Sequence, residues 1–332
     1  VRPRASLDLV RWGWLFMRHA NERHVQRSAG LLRDLNLRSR ELFAEIAKDG
    51  DFGLVQRGLL VLCESESALE EEAELVKRAG ELGIKGEVCD AGRLKELDPD
   101  IEMRAHGGVW WGQDCHLDPQ KFLEVLRAGI RERGGEFRFG AEVTAIRGTA
   151  AVLAAGEAVG GSEVVLAGGS FTPALARTMR LRLPMQAGKG YSMTLPAPPQ
   201  LPRLCSLLGE AKVAVTPMGR SLRVAGTLEI CGNDRSVNER RVRGIVKAAC
   251  RVFPRFAEED FEGVPRWAGL RPCSPDGLPY VGPVPGCAGV FVASGHAMTG
   301  LSLGPVTGEL TAAMVNREKP EIAVEQLAVG RF

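Results

Sequence analysis

The stretch "EVVLAGGS", residues 163–170, is a short apolar run that breaks off into Ala-Gly-Gly-Ser. Glycine at a strand end lets the backbone approach a ligand closely. A plain turn would use the same letters, so this stretch alone leaves both readings open. A second stretch has the same form. In "VFVASGHAMTGLSLGP", residues 290–305, an apolar run ends at Ser294-Gly295-His296, and Gly300-Leu301-Ser302 leads towards a helix that starts near Pro305. Free N–H groups at a helix start favour an electron-rich or anionic group. Ligands of open α/β sheets sit at such carboxyl ends of strands. Together the two strand ends argue for a cofactor site better than either does alone.

Periodicity fills in the elements around them. "HLDPQKFLEVLRAGIRERGG" predicts a helix capped by Asp118, with Pro119 in its first turn and Phe122, Leu126 and Ile130 on the buried face. "SESALEEEAELVKRAGELG" and "NERRVRGIVKAACRVFP" predict two more, the first opened by a serine and the second stopped by Pro254. "KVAVTPMGRSLRVAGTLEI" reads as a hairpin closed at a Pro/Gly turn, and residues 150–166 as two or three short strands. Some strands fall in α/β order and others in antiparallel order. The expected fold class is therefore mixed α/β, or α+β, in two interleaved layers.

Arg271 stands out in "RWAGLRPCSPDGLPYVG", residues 266–282. An arginine in an apolar, turn-bounded segment needs an anion. That anion is a protein carboxylate in the bland reading and a substrate carboxylate held by the guanidinium fork in the sharp one.

Bulk composition excludes several classes. Lys and Arg total 43 against 41 Asp and Glu, a formal net charge of +2, with no dense basic block, so nucleic acid is not an expected partner. No run reaches the roughly 18 apolar residues of a membrane span. Eight cysteines stand singly with no C-x-x-C pair, which argues for reduced thiols in a cytoplasmic compartment and against a metal site.

Seven pieces in order carry a resemblance: "DFGLVQRGLLVL" (51–62), "DCHLDPQKFLEVL" (114–126), "GAEVTAIRG" (140–148), "EVVLAGGSFTPAL" (163–175), "LPMQAGKGYSMTLP" (183–196), "WAGLRPCSPDGLPYVGP" (267–283) and "SGHAMTGLSLGPVTGELTAAMV" (294–315). From about residue 30 to 320 the chain resembles the flavin-dependent D-amino acid dehydrogenase and glycine oxidase family, closest to the D-amino acid dehydrogenase branch. The resemblance implies a glutathione-reductase-type FAD-binding domain, residues 114–182 plus 284–320, interleaved with an antiparallel-sheet substrate domain, residues 50–113 plus 183–283. Residues 1–49 form a helical segment with no assignment.

On that pattern Val143, Ala167, Gly168, Gly169, Gly295, Gly300, Leu301 and Ser302 approach the FAD, the last three aiming backbone donors at the flavin. Arg271 matches the substrate-carboxylate arginine, His296 is a catalytic candidate in the loop above the flavin, and Tyr191 and Met298 line the substrate pocket. His116 and Lys189 are weaker candidates. The implied reaction is oxidative deamination of a small amino acid, with hydride passing from Cα to flavin N5. A quinone or an electron-transfer protein is the implied acceptor. Rival readings are a glycine, sarcosine or hydroxyproline oxidase, and a non-catalytic binding subunit.

The chief departure from the family pattern is the missing G-x-G-x-x-G after an early strand; the nearest pairs, Gly188-x-Gly190 and Gly295 to Gly300, have other spacings. The first βαβ unit is thus expected to be absent. The sequence is then a piece of a longer enzyme, or a second chain or an oligomer supplies the unit, or the chain has lost FAD. The expected location is cytoplasmic, with peripheral contact at the inner face of the cell membrane through the tryptophan-bearing start as a further expectation.

Overall fold

The computed structural model describes residues 6–332. Residues 1–5 of the expected helical segment lie outside the described residues. Two helices lead. α1 (Leu7–His19) starts where the Ser6 hydroxyl accepts from the Leu9 N–H, and α2 (Glu22–Ile46) where the Asn21 side chain accepts from the His24 N–H. β1 (Leu59–Cys63), α3 (Glu66–Glu81), β2 (Glu87–Asp90), α4 (Ala91–Leu97) and β3 (Gly107–Trp111) follow. α5 (Pro119–Glu132) opens as expected on Asp118, whose carboxylate accepts from the N–H groups of Gln120 and Lys121.

The middle of the chain builds a small antiparallel sheet from β4 (Val143–Arg147), β5 (Ala150–Leu153) and β6 (Ala158–Gly160). β7 (Val164–Leu166) and α6 (Thr172–Thr178) come next. A run of long strands then takes over: β8 (Gln186–Leu195), β9 (Cys205–Leu208), β10 (Val213–Met218) and β11 (Ser221–Ile230). The chain closes with α7 (Glu239–Val252), β12 (Arg266–Cys273), β13 (Tyr280–Pro283), β14 (Val290–Ser294) and α8 (Gly304–Val315).

Two sheets organise the site. The large one has the order β12-β8-β11-β10-β9-β1-β3-β2 and is antiparallel except where β1 meets β9. The smaller has the order β13-β14-β7, with β14 and β7 parallel. The expected boundary at residue 283 shifts, because Tyr280 to Pro283 pair with β14 and leave the large sheet at Cys273. Strands from both halves of the chain enter each sheet, so the layers interleave.

The main core lies on one face of the large sheet. Tyr191, Met193, Leu222 and Val224 pack there against Val242, Ile245, Ala249 and Val252 of α7. α2 lies on α8, with Leu31 and Leu35 against Leu303, Val306 and Leu310. α2 therefore braces the helix that follows the second glycine-bearing strand end.

Candidate active site

The site is built from the alternation of one strand. Successive residues of β8 point to opposite sides of the sheet. Tyr191 and Met193 enter the core beside α7, so Gly188, Gly190 and Ser192 take the other face. Register brings Arg271 and Gly269 of β12 beside Gly188 and Gly190, and Trp267 beside Ser192.

Arg271 reaches diagonally across β8 from its backbone beside Gly188. A Cβ added at Gly190 would meet its Nη1 at 2.0 Å, so the guanidinium lies directly over that glycine. Its Nη1 donates to the Thr227 carbonyl on β11 at 3.1 Å. Thr227 has φ 73, next to the irregularity between Gly226 and Glu229, and this left-handed backbone turns its carbonyl. Among the described residues no carboxylate pairs with Arg271. Burial pushes its pKa below the ordinary arginine value. A half-buried cation with one neutral partner is short of a counter-charge.

The two sheets meet at this place. Cys273, two residues beyond Arg271, forms an antiparallel bridge with His296, and the Ala297 N–H donates to the Pro272 carbonyl at 2.8 Å. A second tie joins the strand ends. Thr172 Oγ1 donates to Ser294 Oγ at 3.1 Å, and Ser294 Oγ donates to the Gly169 carbonyl at 3.2 Å. The ends of β7, β12 and β14 therefore converge.

Past this junction, the N–H groups of Gly300, Leu301 and Ser302 have no partner among the described residues. The loop is pinned from behind, where the Ser39 hydroxyl of α2 donates to the Ser302 carbonyl. Met298 is exposed in the same loop, and Val143 opens β4 half-buried beside Ile146 and Leu166. Beside the loop a cleft of about 630 Å³ is lined by Val165, Ala167, Gly304, Thr307, Gly308 and Thr311.

One expectation changes. Tyr191 does not share the face of β8 that carries Arg271. It is buried on the α7 side and its hydroxyl donates to Glu229 Oε2 at 3.0 Å. The period of two decides this, since 191 is out of phase with 188 and 190. His296 lines the same cleft, where its Nε2 is 2.9 Å from Thr307 Oγ1 in a buried contact, and burial pushes its pKa from 6.5 down to about 4. The imidazole is neutral near pH 7 and ties α8 to the strand end. His116 is likewise pushed down to about 4, by burial and then by Arg57.

Several residues of the face escape a reading residue by residue. Gly190, Ser192, Arg223, Thr227 and Trp267 have no motif of their own. The "GKG" of residues 188–190 was their one signal, because glycines two apart in a strand bare one face of it.

The family model for FAD-dependent oxidoreductases matches residues 7–314. The chain belongs to the FAD-dependent oxidoreductase family. It is 31% identical over 340 residues to a D-amino acid dehydrogenase of Methylobacterium nodulans, covering 97% of this chain and 79% of that protein. It is 34% identical over 266 residues to one of Xanthobacter autotrophicus, covering 74% and 62%. Among solved structures it is similar to glycine oxidase from Geobacillus kaustophilus, with a TM-score of 0.82, 25% identity and coverage of 91% of this chain and 84% of that one.

FAD is the family's cofactor, and the residues present fit the part of it they would touch. Three unsatisfied N–H groups in sequence suit the electron-rich edge of a flavin. Gly169 has φ 54 and, like Gly304, open space where a Cβ would stand, so the strand end and the helix start leave room for a ring system. Among the described residues no helix is long and apolar enough to cross a membrane.

Proposed function

We propose that this oxidoreductase dehydrogenates a small amino acid, most like a D-amino acid dehydrogenase, with Arg271 as the carboxylate anchor. The unpaired guanidinium over Gly190 carries the reading. Its partner is left to be supplied from outside the protein, and a carboxylate matches the planar fork in charge and shape.

The chain's own groups act by placement. Arg271 holds the substrate carboxylate, and the Thr227 carbonyl fixes the fork. Gly190, with no Cβ to obstruct it, lets the guanidinium lie flat on the sheet. Gly300, Leu301 and Ser302 present fixed donors where negative charge develops, and the buried tie from His296 to Thr307 keeps that loop in register. Bound FAD would supply the two-electron acceptor for the hydrogen on Cα. The Cα–H bond gives up its hydride readily only when the amine is neutral, so the substrate ammonium first loses a proton to solvent. No side chain of this face is needed as a base, and the resulting imine is hydrolysed by water to a 2-oxo acid and ammonia.

The nearby relatives named D-amino acid dehydrogenases support a D-substrate and an acceptor other than oxygen, a quinone or an electron-transfer protein. Leu7, Val10, Trp14 and Met17 are exposed along one side of α1, which supports a cytoplasmic protein that touches the inner face of the membrane there. The test is to add FAD and follow the flavin band near about 450 nm anaerobically. D-amino acids should bleach it, and Arg271→Leu should keep the band but lose the bleaching. Flavin binding with no bleaching by any amino acid would end the proposal.

A further inference from the structure

Arg223 stands on the same face of the large sheet as Arg271 and is not explained by the reaction. It is half-buried on β11 beside Thr194. Its Nη2 donates to Ser192 Oγ at 3.0 Å, and its guanidinium carbon lies 5.4 Å from the Trp267 ring centroid. Among the described residues it pairs with no carboxylate. Asp118 is the acid close enough to act on it, and one of that group's oxygens is spent capping α5.

The two cations point towards each other. Arg271 starts beside Gly188 and reaches to Gly190, while Arg223 starts beside Thr194 and reaches back to Ser192. Gly190 and Ser192 are successive positions on one face of β8, so the two charges stand roughly 7 Å apart. The Trp267 ring lies on the same face over Gly269, where an added Cβ would meet it at 2.1 Å. The face thus presents two cations and an aromatic ring. Two unpaired cations this close repel, and a bound dianion relieves both.

We infer that the substrate is an acidic amino acid, its α-carboxylate on Arg271 and its distal carboxylate on Arg223, with its methylene chain over Trp267. The inference rests on the reading of Arg271 above and adds Arg223 as the residue that sets specificity. A small neutral amino acid would satisfy Arg271 and leave Arg223 without a counter-charge.

Binding of plain carboxylates tests this without turnover. Glutarate and butyrate have similar chains and differ in the second charge. Calorimetric titration of the full chain should find glutarate bound about 30-fold tighter than butyrate, at the scale of a charge-assisted fork. Arg223→Gln should bring glutarate to the butyrate level and leave butyrate unchanged. Arg223→Lys, which keeps the charge and loses the fork, should fall between, and a far-ultraviolet circular dichroism spectrum matching the parent's excludes misfolding. Arg271→Gln should weaken both ligands.

Equal binding of the two ligands to the parent chain, or an equal loss of both in Arg223→Gln, overturns the role of Arg223 while that of Arg271 stands. Butyrate binding that ignores Arg271→Gln overturns the anchor itself, and no binding of either ligand at high millimolar concentration overturns both.

Discussion

On the α7 side of β8, Lys189 is wholly buried, and its ammonium donates to Asp234 at 3.3 Å and to the Ser236 carbonyl at 2.7 Å. Tyr191, two residues on, gives its hydroxyl to Glu229. On the opposite side of the same strand, Arg271 and Arg223 share only neutral partners, Thr227 and Ser192. One face has settled its polar groups within the protein, as stability requires of buried charge. The other holds two cations short of anions, which costs folding free energy and is useful only if a ligand completes them. The difference separates a charge satisfied within the protein from one left open more clearly than residue type does, for Lys189 and Arg271 are both cations in one pair of neighbouring strands.

The comparison breaks at the anchor first. Arg271→Leu should lower carboxylate affinity by on the order of 100- to 1,000-fold, the value of a paired, charge-assisted contact. The midpoint of urea unfolding should stay level or rise, since an uncompensated charge is removed; a large loss of stability would mean Arg271 belongs with Lys189. Lys189→Ala should do the reverse. Removing a wholly buried charge partner should cost about 3 kcal/mol of stability in urea titration, with butyrate affinity little changed in the protein that remains folded.

Gly190→Ala sharpens the comparison with one methyl. The new Cβ would have to push away the tip of a flexible side chain rather than backbone. Butyrate binding should weaken by about tenfold, the size of one displaced hydrogen-bonded contact, with almost no change in melting temperature.

The smallest effect lies in the pH dependence. His296 has its pKa lowered from 6.5 to about 4 in the folded chain, so the unfolded chain binds the extra proton more readily between those values. Stability should therefore fall as pH drops from about 6.5 to 4. His296→Gln should flatten that part of the profile of melting temperature against pH. An unchanged slope would assign it to His116, which is shifted the same way.

Much of this was legible in the letters. Asp118 before Pro119 fixed the start of α5, and the hairpin of β10 and β11 followed from its turn and alternation. Glycines after two apolar runs marked the converging strand ends. Arg271 was suspicious from its neighbours alone, but the sequence left its partner open between a protein carboxylate and a ligand. Tyr191 was misplaced because its side of the strand is not written in its own letter. A residue type that suits an active site says nothing about which side of a sheet it faces or which helix packs on it.

By itself, the sequence determined the local elements, the mixed fold class and the family. Helix caps, turns and period-two runs are short-range properties, written within a few residues of one another. Only the tertiary structure decided which charges are left unpaired. Arg271 on β12 reaches across β8 towards Thr227 on β11, and Arg223 runs back from β11 towards Trp267 on β12. These strands are neighbours in space and up to about eighty residues apart in sequence, so strand register, and not any motif, brings the two guanidinium groups face to face.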